Sequence, residues 1–247
     1  NIRKFEALFI LMNLIIDIGN TLVKYAVFNN DQLVEILKTS EIETGKVNTL
    51  IKEFDIKNVI ISSVRKEMNW NLDVEVIHLS HKTSLPINLN YKTPETLGKD
   101  RIANIVAVSE EYPNKNAVVI DAGTCITYDF INKNKEYLGG RISPGLEMRY
   151  KSLNEFTELL PKLSVSGESK FIGDDTDSSI FSGVEQGVLS EVDSLISVFR
   201  KENEDLIVVV TGGDTFFFEN ALKNSIFADQ NLVLKGLNII LKYNEDK

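Results

Sequence analysis

Two segments of the chain repeat one pattern of hydrophobic and polar positions. The first reads LIIDIGNT at residues 14–21, and the second reads VVIDAGTC at residues 118–125. In each, an apolar run rich in β-branched residues ends at an aspartate and a glycine. A second strand-like stretch (residues 23–28 and 126–131) then leads into a polar turn. The pattern predicts two β-hairpins, each with a glycine in its connecting turn.

The segments that follow each hairpin predict helices and buried strands. Residues 59–64 form a short apolar run, and residues 101–112 carry apolar side chains at helical spacing. Apolar positions on one side of residues 178–200 predict a long helix, and residues 206–210 predict a buried strand that ends in a Thr-Gly-Gly turn. Because this arrangement occurs twice, we expect an α/β fold with two similar lobes facing a central cleft, over residues 12–115 and 116–247.

Residues 1–11 require a separate interpretation. Arg3 and Lys4 precede an apolar run, as in a signal peptide. The run is too short to span a bilayer, lacks a small-residue cleavage site and leads directly into Asp17. We therefore expect Met12 to be the natural start, with residues 1–11 as upstream or added sequence.

Charge and cysteine content narrow the class of partner and the compartment. The formal net charge of -9 repels polyanions, so no nucleic-acid partner is expected, and no membrane partner is expected either. The single cysteine cannot form an intramolecular disulfide, which favours a reducing compartment. We expect a cytoplasmic protein.

Both glycine turns carry the chemistry of a phosphate site. In residues 17–24, Asp17 ends an apolar run, Gly19 allows close backbone approach to an oxyanion, and Lys24 supplies positive charge. Alone, this segment fits an ordinary hairpin equally well. Residues 121–127 add a second carboxylate and glycine turn, and residues 211–214 add TGGD. The ordered set is the pattern of the actin-like ATPase superfamily and predicts a polyphosphate site.

A third motif, YKTPETLGKDR at residues 91–101, lies just before the first predicted helix. Gly98 and Asp100 at that helix start place a carboxylate near exposed N–H groups, and Arg101 beside it is an anion donor. Spacing alone favours the simpler interpretation, a helix cap with a solvated ion pair.

Taken in order, these motifs together with GGRISPG at residues 139–145 resemble those of the type III pantothenate kinases. The resemblance covers residues 17–213, and its Tyr-to-Arg element is rare in other actin-like ATPases. It implies two duplicated ribonuclease H-like (actin-like) lobes. It also implies transfer of the γ-phosphoryl group of Mg-ATP to pantothenate, which gives 4'-phosphopantothenate, the first step towards coenzyme A.

The resemblance also implies roles for individual residues. It implies Asp100 as general base, Asp121 as ligand of a monovalent cation (potassium or ammonium), and a homodimer in which Thr176 of the short GDDT match reaches pantothenate. The implied ATP-binding residues are Asp17, Ile18, Gly19, Asn20, Thr21, Leu22, Val23, Lys24 and Thr124, and the implied pantothenate-binding residues are Tyr91, Gly98, Lys99, Asp100, Arg101 and Thr176.

Alternatives stay open at this point. One is another small-molecule kinase of the actin-like superfamily, and another is a non-enzymatic actin-like ATP-binding module. For the dimer, the apolar side of residues 178–200 is a candidate contact surface. Periodicity alone favours a different use, in which that side covers the chain's own sheet.

Overall fold

A computed structural model describes residues 12–65, 70, 72–167 and 169–245. The proposed extension at residues 1–11 lies outside the described residues. The chain divides into two compact units. The described parts of residues 12–86, 95–103 and 233–245 form the first, and those of residues 87–94 and 104–232 form the second. Within the described residues, no helix combines the length and apolar character needed to cross a membrane.

The first unit contains a five-stranded sheet in the order β3-β2-β1-β4-β5. β1 pairs antiparallel with β2, as the first predicted hairpin requires, and parallel with β4. The strands are β1 (Met12–Ile18), β2 (Val23–Asn29), β3 (Gln32–Thr39), β4 (Asn58–Ser63) and β5 (Glu75–His78), and helix α1 spans Thr44–Glu53.

The second unit contains a six-stranded sheet in the order β11-β10-β7-β8-β9-β6. β7 pairs antiparallel with β8, which is the second predicted hairpin, and parallel with β10. The strands are β6 (Asn88–Leu89), β7 (Ala117–Ala122), β8 (Cys125–Ile131), β9 (Glu136–Pro144), β10 (Ile207–Thr211) and β11 (Phe227–Ala228).

Six further helices lie between and after these strands in the part of the chain that the structure describes. A 3₁₀ turn at Pro94–Thr96 precedes the first of them, and a π-helical turn at Ser182–Gln186 joins the third to the fourth. They are α2 (Lys99–Glu111), α3 (Leu146–Glu155), α4 (Thr176–Phe181), α5 (Gly187–Glu202), α6 (Thr215–Ala221) and α7 (Leu232–Glu245).

The two sheets repeat one topology. The order β3-β2-β1-β4-β5 of the first sheet matches β9-β8-β7-β10-β11 of the second, and each corresponding pair of neighbours has the same direction. Only β6 is additional. The duplicated α/β fold expected from the sequence repeat is therefore confirmed.

The central strands are buried on both faces, which explains their unbroken apolar sequences. Leu14, Ile15 and Ile16 of β1 are fully inaccessible to solvent, as are Val118 and Val119 of β7. Such strands place their polar ends, where the aspartates lie, at one edge of each sheet.

Helical structure covers the whole of residues 178–200, as predicted, but it includes a π-helical turn. α4 and α5 are separated by the π-helical turn, and the apolar positions Val188, Val192 and Ile196 are buried in the core of the second unit. This side of the helix covers the chain's own sheet, which is the alternative that periodicity favoured. It is not a surface for a second copy.

The last helix belongs to the first unit although it ends the chain. A side chain at Gly236 of α7 would place Cβ 1.8 Å from the carbonyl oxygen of Ala103. Asn238 accepts a hydrogen bond from Asn13 (3.1 Å) and donates one to the Asn30 carbonyl (2.7 Å). The compact units thus do not follow sequence order, and a lobe boundary at 115/116 stays a prediction.

Candidate active site

The first glycine turn joins β1 to β2. The Gly19 N–H donates to the Leu22 carbonyl at 3.0 Å and closes the turn. Asp17, one residue from the end of β1, pairs in register with Lys24 on β2 and with Ser62 on β4. The side chains of the turn at residues 20–22 are exposed, so the turn presents its backbone to solvent between a carboxylate and an ammonium group.

The environment of Asp17 favours its protonated form. Burial among protein atoms raises its pKa to about 6, and the negative charge of Asp100 adds to this rise. The positive charge of Lys24 acts in the opposite direction. Asp17 as a whole residue keeps some solvent exposure. Two aspartates that lie far apart in the sequence therefore act on each other within the first unit.

Asp100 lies in the first turn of α2, and its carboxylate folds back over the helix start. Its Oδ1 accepts a hydrogen bond from the Arg101 N–H at 2.9 Å. A side chain at Gly98 would place Cβ 2.5 Å from the same oxygen, so only glycine leaves the carboxylate where it is. Arg101 is just 6% exposed, which argues against the solvated ion pair that spacing alone favoured. Lys99 is partly exposed.

The second glycine turn joins β7 to β8 and is enclosed by two further glycines. The Gly123 N–H donates to the Cys125 carbonyl, and the Gly145 N–H donates to the Thr124 carbonyl. Gly212 has a φ of +97°, and a Cβ there would lie 2.2 Å from the carbonyl oxygen of Ala122 and 2.6 Å from Asp121 Oδ1. The TGGD segment therefore packs against the second turn at Gly212.

Asp121 has an amide neighbour that the sequence did not reveal. Asn104 Nδ2 of α2 donates to Asp121 Oδ2 at 2.8 Å, and Asn104 is completely buried. The Asn104 Oδ1 has no hydrogen-bond partner in the described part of the chain. A carboxylate beside an unpartnered amide oxygen offers the oxygen ligands that hard cations prefer. These residues fit a cation.

The described residues contain no group of three or more His, Cys, Asp or Glu side chains placed to hold a metal ion. A cation beside Asp121 would therefore complete its coordination with amide, carbonyl, hydroxyl or water oxygens. Oxygen ligands of these kinds suit hard cations.

Tyr91 is held on the second unit beside the edge of its sheet. The adjacent Asn90 N–H donates to the Tyr137 carbonyl at 3.0 Å, and the rings of Tyr91 and Tyr137 have centroids 5.9 Å apart. The Tyr137 hydroxyl donates to Asp129 Oδ1 at 2.7 Å, with both residues buried. A buried hydrogen bond thus fixes the ring against which Tyr91 packs. Tyr91 and the segment from Gly98 to Arg101 belong to different units.

Thr176 is the first residue of α4 and lies beside an open cavity of about 780 Å³ in the second unit. Asp175 caps the helix by accepting from the Ser178 N–H at 2.7 Å. The cavity is therefore built around a fixed helix start. Its lining residues are Leu153, Leu160, Gly173, Asp174, Asp175, Thr176, Ser179, Ile180 and Gly183.

Comparison with solved structures gives the class of protein that this fold defines. A Campylobacter jejuni structure described as a Baf family transcriptional activator has a TM-score of 0.60 at 24% identity and covers 95% of this chain and 100% of its own. The activator of the 2-hydroxyisocaproyl-CoA dehydratase from Clostridium difficile, with bound ADPNP, has a TM-score of 0.55 at 15% identity and covers 96% and 95%. These likenesses show the fold alone, which is the duplicated actin-like α/β fold.

Within that class, the chain belongs to the type III pantothenate kinase family, whose family model matches residues 13–198. A type III pantothenate kinase from Phocaeicola vulgatus is 45% identical over 240 residues, which is 95% of this chain and 99% of the relative. One from Bacteroides fragilis strain YCH46 is 43% identical over 243 residues, which is 96% and 100%.

Proposed function

We propose that this chain transfers the γ-phosphoryl group of Mg-ATP to the primary hydroxyl of pantothenate. The observation that carries this proposal is the family membership, which extends over nearly the whole chain. The hydroxyl oxygen forms a bond to the γ-phosphorus, the bond from phosphorus to the bridging oxygen breaks, and ADP leaves. The products are 4'-phosphopantothenate and ADP, at the start of coenzyme A synthesis.

The two glycine turns bind the nucleotide in this proposal. Phosphoryl transfer proceeds through a loose transition state, so positioning and charge neutralisation provide most of the catalysis. Magnesium bound to ATP supplies part of that neutralisation. The first turn contributes the Lys24 ammonium group and exposed backbone, while Asp17 lies beside them in register with Lys24. The nucleotide-binding residues are Asp17, Ile18, Gly19, Asn20, Thr21, Leu22, Val23 and Lys24, with Thr124 of the second turn.

Asp100 is the general base of the proposed reaction. Its carboxylate orients the pantothenate hydroxyl and accepts the proton late in the transfer. The glycine at position 98 supports this role, because any side chain there would displace the carboxylate. Arg101, buried beside it, pairs with the substrate carboxylate, as guanidinium groups do well. Gly98, Lys99, Tyr91 and Thr176 complete the pantothenate-binding set.

Asp121 holds a monovalent cation, potassium or ammonium, in this account. The unpartnered Oδ1 of Asn104 supports the proposal, since an orphaned buried oxygen has a free-energy cost that a bound cation relieves. The cation adds positive charge beside the second turn. Asp121 and Asn104 provide oxygen ligands of low total charge.

The active unit is a homodimer, and its contact surface is formed by the exposed apolar side chains of Phe156, Leu159, Phe171 and Ile172. Their exposed fractions are 85%, 91%, 80% and 78%, which is unusual for large apolar side chains. Thr176 lies four residues after Ile172. In the dimer, Thr176 contributes to the pantothenate site of the other chain. We place the dimer in the cytoplasm, where the single cysteine stays reduced.

A panel of acceptors tests the proposed reaction against other kinases of the same fold. Purified protein, ATP and Mg²⁺ are mixed with pantothenate, a hexose, an N-acetylated hexosamine or acetate, and ADP release is followed by a coupled assay. We expect pantothenate to be the only one of these acceptors that raises ADP release above the acceptor-free rate. A higher rate with a sugar or acetate would move the chain to another kinase activity. No acceptor-dependent release in any arm would contradict a kinase assignment.

A further inference from the structure

We propose that Arg65 is a positioning residue that fixes the first glycine turn so that its backbone N–H groups face the phosphates of ATP. The inference rests on the proposed function, because it assumes that this turn binds the nucleotide. The motifs of the sequence do not include Arg65, and it follows β4 by only two residues.

The guanidinium group of Arg65 bonds the turn through two of its nitrogens. Nε donates to the Gly19 carbonyl at 2.8 Å, and Nη2 donates to the Asn20 carbonyl at 3.1 Å. One planar side chain thus holds two successive peptide carbonyls. A lysine ammonium group does not reproduce this fork, because its donors spread from a single nitrogen.

Because the peptide bond is planar, holding a carbonyl group also fixes the direction of the N–H group in the same peptide. In a trans peptide, the C=O and N–H groups point in opposite directions. Because Arg65 holds the carbonyls of Gly19 and Asn20, the N–H groups of Asn20 and Thr21 point away from the guanidinium group. Two successive N–H groups on one side of an exposed turn form the kind of concavity that binds anions. Arg65 thereby pre-orients the phosphate-binding side of the turn.

The backbone around Arg65 is itself anchored, so the side chain starts from a fixed point. The Val64 N–H donates to the Ile18 carbonyl at 3.1 Å and extends the pairing of β4 with β1. Ser63 Oγ accepts from the Arg65 N–H at 3.1 Å and donates to the Arg65 carbonyl at 3.2 Å. The strand that carries Arg65 is thus held against the strand that enters the turn.

A purely structural role predicts a different result from a role in phosphate binding. If Arg65 only stabilises the hairpin, its removal lowers the melting temperature and affects both substrates alike. If it orients the turn, its removal weakens ATP binding and leaves pantothenate binding intact. In a third case, only the positive charge of Arg65 matters. Lysine would then replace arginine without loss of ATP affinity.

The test compares Arg65→Ala and Arg65→Lys with the control Arg200→Ala. Arg200 also bonds a loop, donating to Asn224 Oδ1 and to the Ser225 carbonyl, but far from either glycine turn in sequence. Binding of Mg-ATP is measured by calorimetry, KM and kcat by steady-state kinetics, and folding by thermal melts. For Arg65→Ala, we expect the Kd and KM of ATP to rise at least tenfold, with kcat and the KM of pantothenate within threefold of wild type.

Arg65→Lys should recover less than half of the lost ATP affinity, and Arg200→Ala should bind ATP as wild type does. An ATP Kd within twofold of wild type in a folded Arg65→Ala protein would overturn the proposal. So would full recovery by lysine, or an equal rise of both KM values. If Arg65→Ala does not fold, Arg65→Lys decides by the same criteria. Calorimetry measures ATP binding without pantothenate. A failure of the proposed kinase reaction is therefore distinguishable from a failure of the proposed role of Arg65.

Discussion

The two glycine turns have the same strand topology but different chemical surroundings. In the first, Asp17 pairs with Lys24, and in the second, Asp121 pairs with the uncharged Thr127. On the parallel neighbour strand, each aspartate faces a hydroxyl residue, Ser62 or Thr211. Duplication thus preserved the backbone and the hydroxyl neighbour, while the charge of the antiparallel neighbour diverged.

This divergence fits different tasks. The first turn has the ammonium group of Lys24 beside it and an exposed backbone, and both suit the phosphate groups of a nucleotide. The second turn is enclosed by Gly145 and Gly212 and has the amide of Asn104 beside its carboxylate, which suits a bound cation. The comparison predicts that substitutions in the first unit affect phosphate chemistry, and that those near the second turn affect the cation.

The largest expected effect is that of Asp100→Asn in the first unit. It preserves size but removes the proton acceptor, so turnover should fall at least ~10²-fold while ATP binding persists. Steady-state assays and calorimetry measure the two effects. The control is Asp205→Asn, which removes an exposed carboxylate paired with Lys115. Near-normal turnover in a folded Asp100→Asn protein would exclude Asp100 as general base.

A somewhat smaller effect is expected at the second turn. Asn104→Leu keeps the branched shape of the side chain but removes the orphaned oxygen and the amide group that donates to Asp121, so the concentration of potassium needed for half-maximal activity should rise about tenfold or more. Thermal melts in potassium and in tetramethylammonium salts provide a second readout. Potassium should raise the melting temperature of the wild-type protein but not that of Asn104→Leu. Equal wild-type rates and melts in both salts would remove the cation from the account.

The proposed dimer predicts rescue between two inactive variants. Asp100→Asn and Thr176→Arg proteins are mixed, dissociated and reassociated. If Thr176 serves the partner's site, one of the two sites in each mixed dimer keeps both residues intact. Half of the dimers are mixed, so about a quarter of wild-type activity should return. Sedimentation that shows only monomers, or no rescue in verified mixed dimers, would contradict the shared site.

The smallest expected effect is on stability. The pKa of Asp17 is raised from 3.8 to about 6, so its ionised form disfavours the folded state above pH 6, and this cost is absent below pH 3.8. Asp17→Asn should therefore stabilise the ligand-free protein at pH 8 by at most about 3 kcal/mol, with little gain at pH 3.5. Urea unfolding at both pH values measures this. A gain that is equal at both would contradict the raised pKa.

Local patterns predicted the two hairpins well because a buried strand, an aspartate and a glycine turn are all encoded within eight residues. α2 begins at Lys99, two residues before the expected start, because its first N–H bonds reach the Gly98 carbonyl. The π-helical turn between α4 and α5 was not predicted, since one such turn hardly changes the apolar periodicity.

The contacts that complete each site were not predictable from the sequence. Asp17 and Asp100 influence each other across the first unit, and Asn104 meets Asp121 across the second. Arg65 bonds a turn that lies more than forty residues earlier. Nothing in local periodicity specifies which distant side chains meet. The resemblance supplied the implied roles of Asp100, Tyr91 and Thr176, while their surroundings required the structure.

The central claim is that the γ-phosphoryl group of ATP passes to pantothenate. The most direct test incubates the purified protein with Mg²⁺, pantothenate and ATP that carries ¹⁸O on its γ-phosphoryl group, and identifies products by mass spectrometry. The account predicts phosphopantothenate with the full ¹⁸O label and an equal amount of ADP, both greatly reduced with Asp100→Asn. ADP formation without labelled phosphopantothenate, under conditions in which the protein is folded and binds ATP, would contradict it.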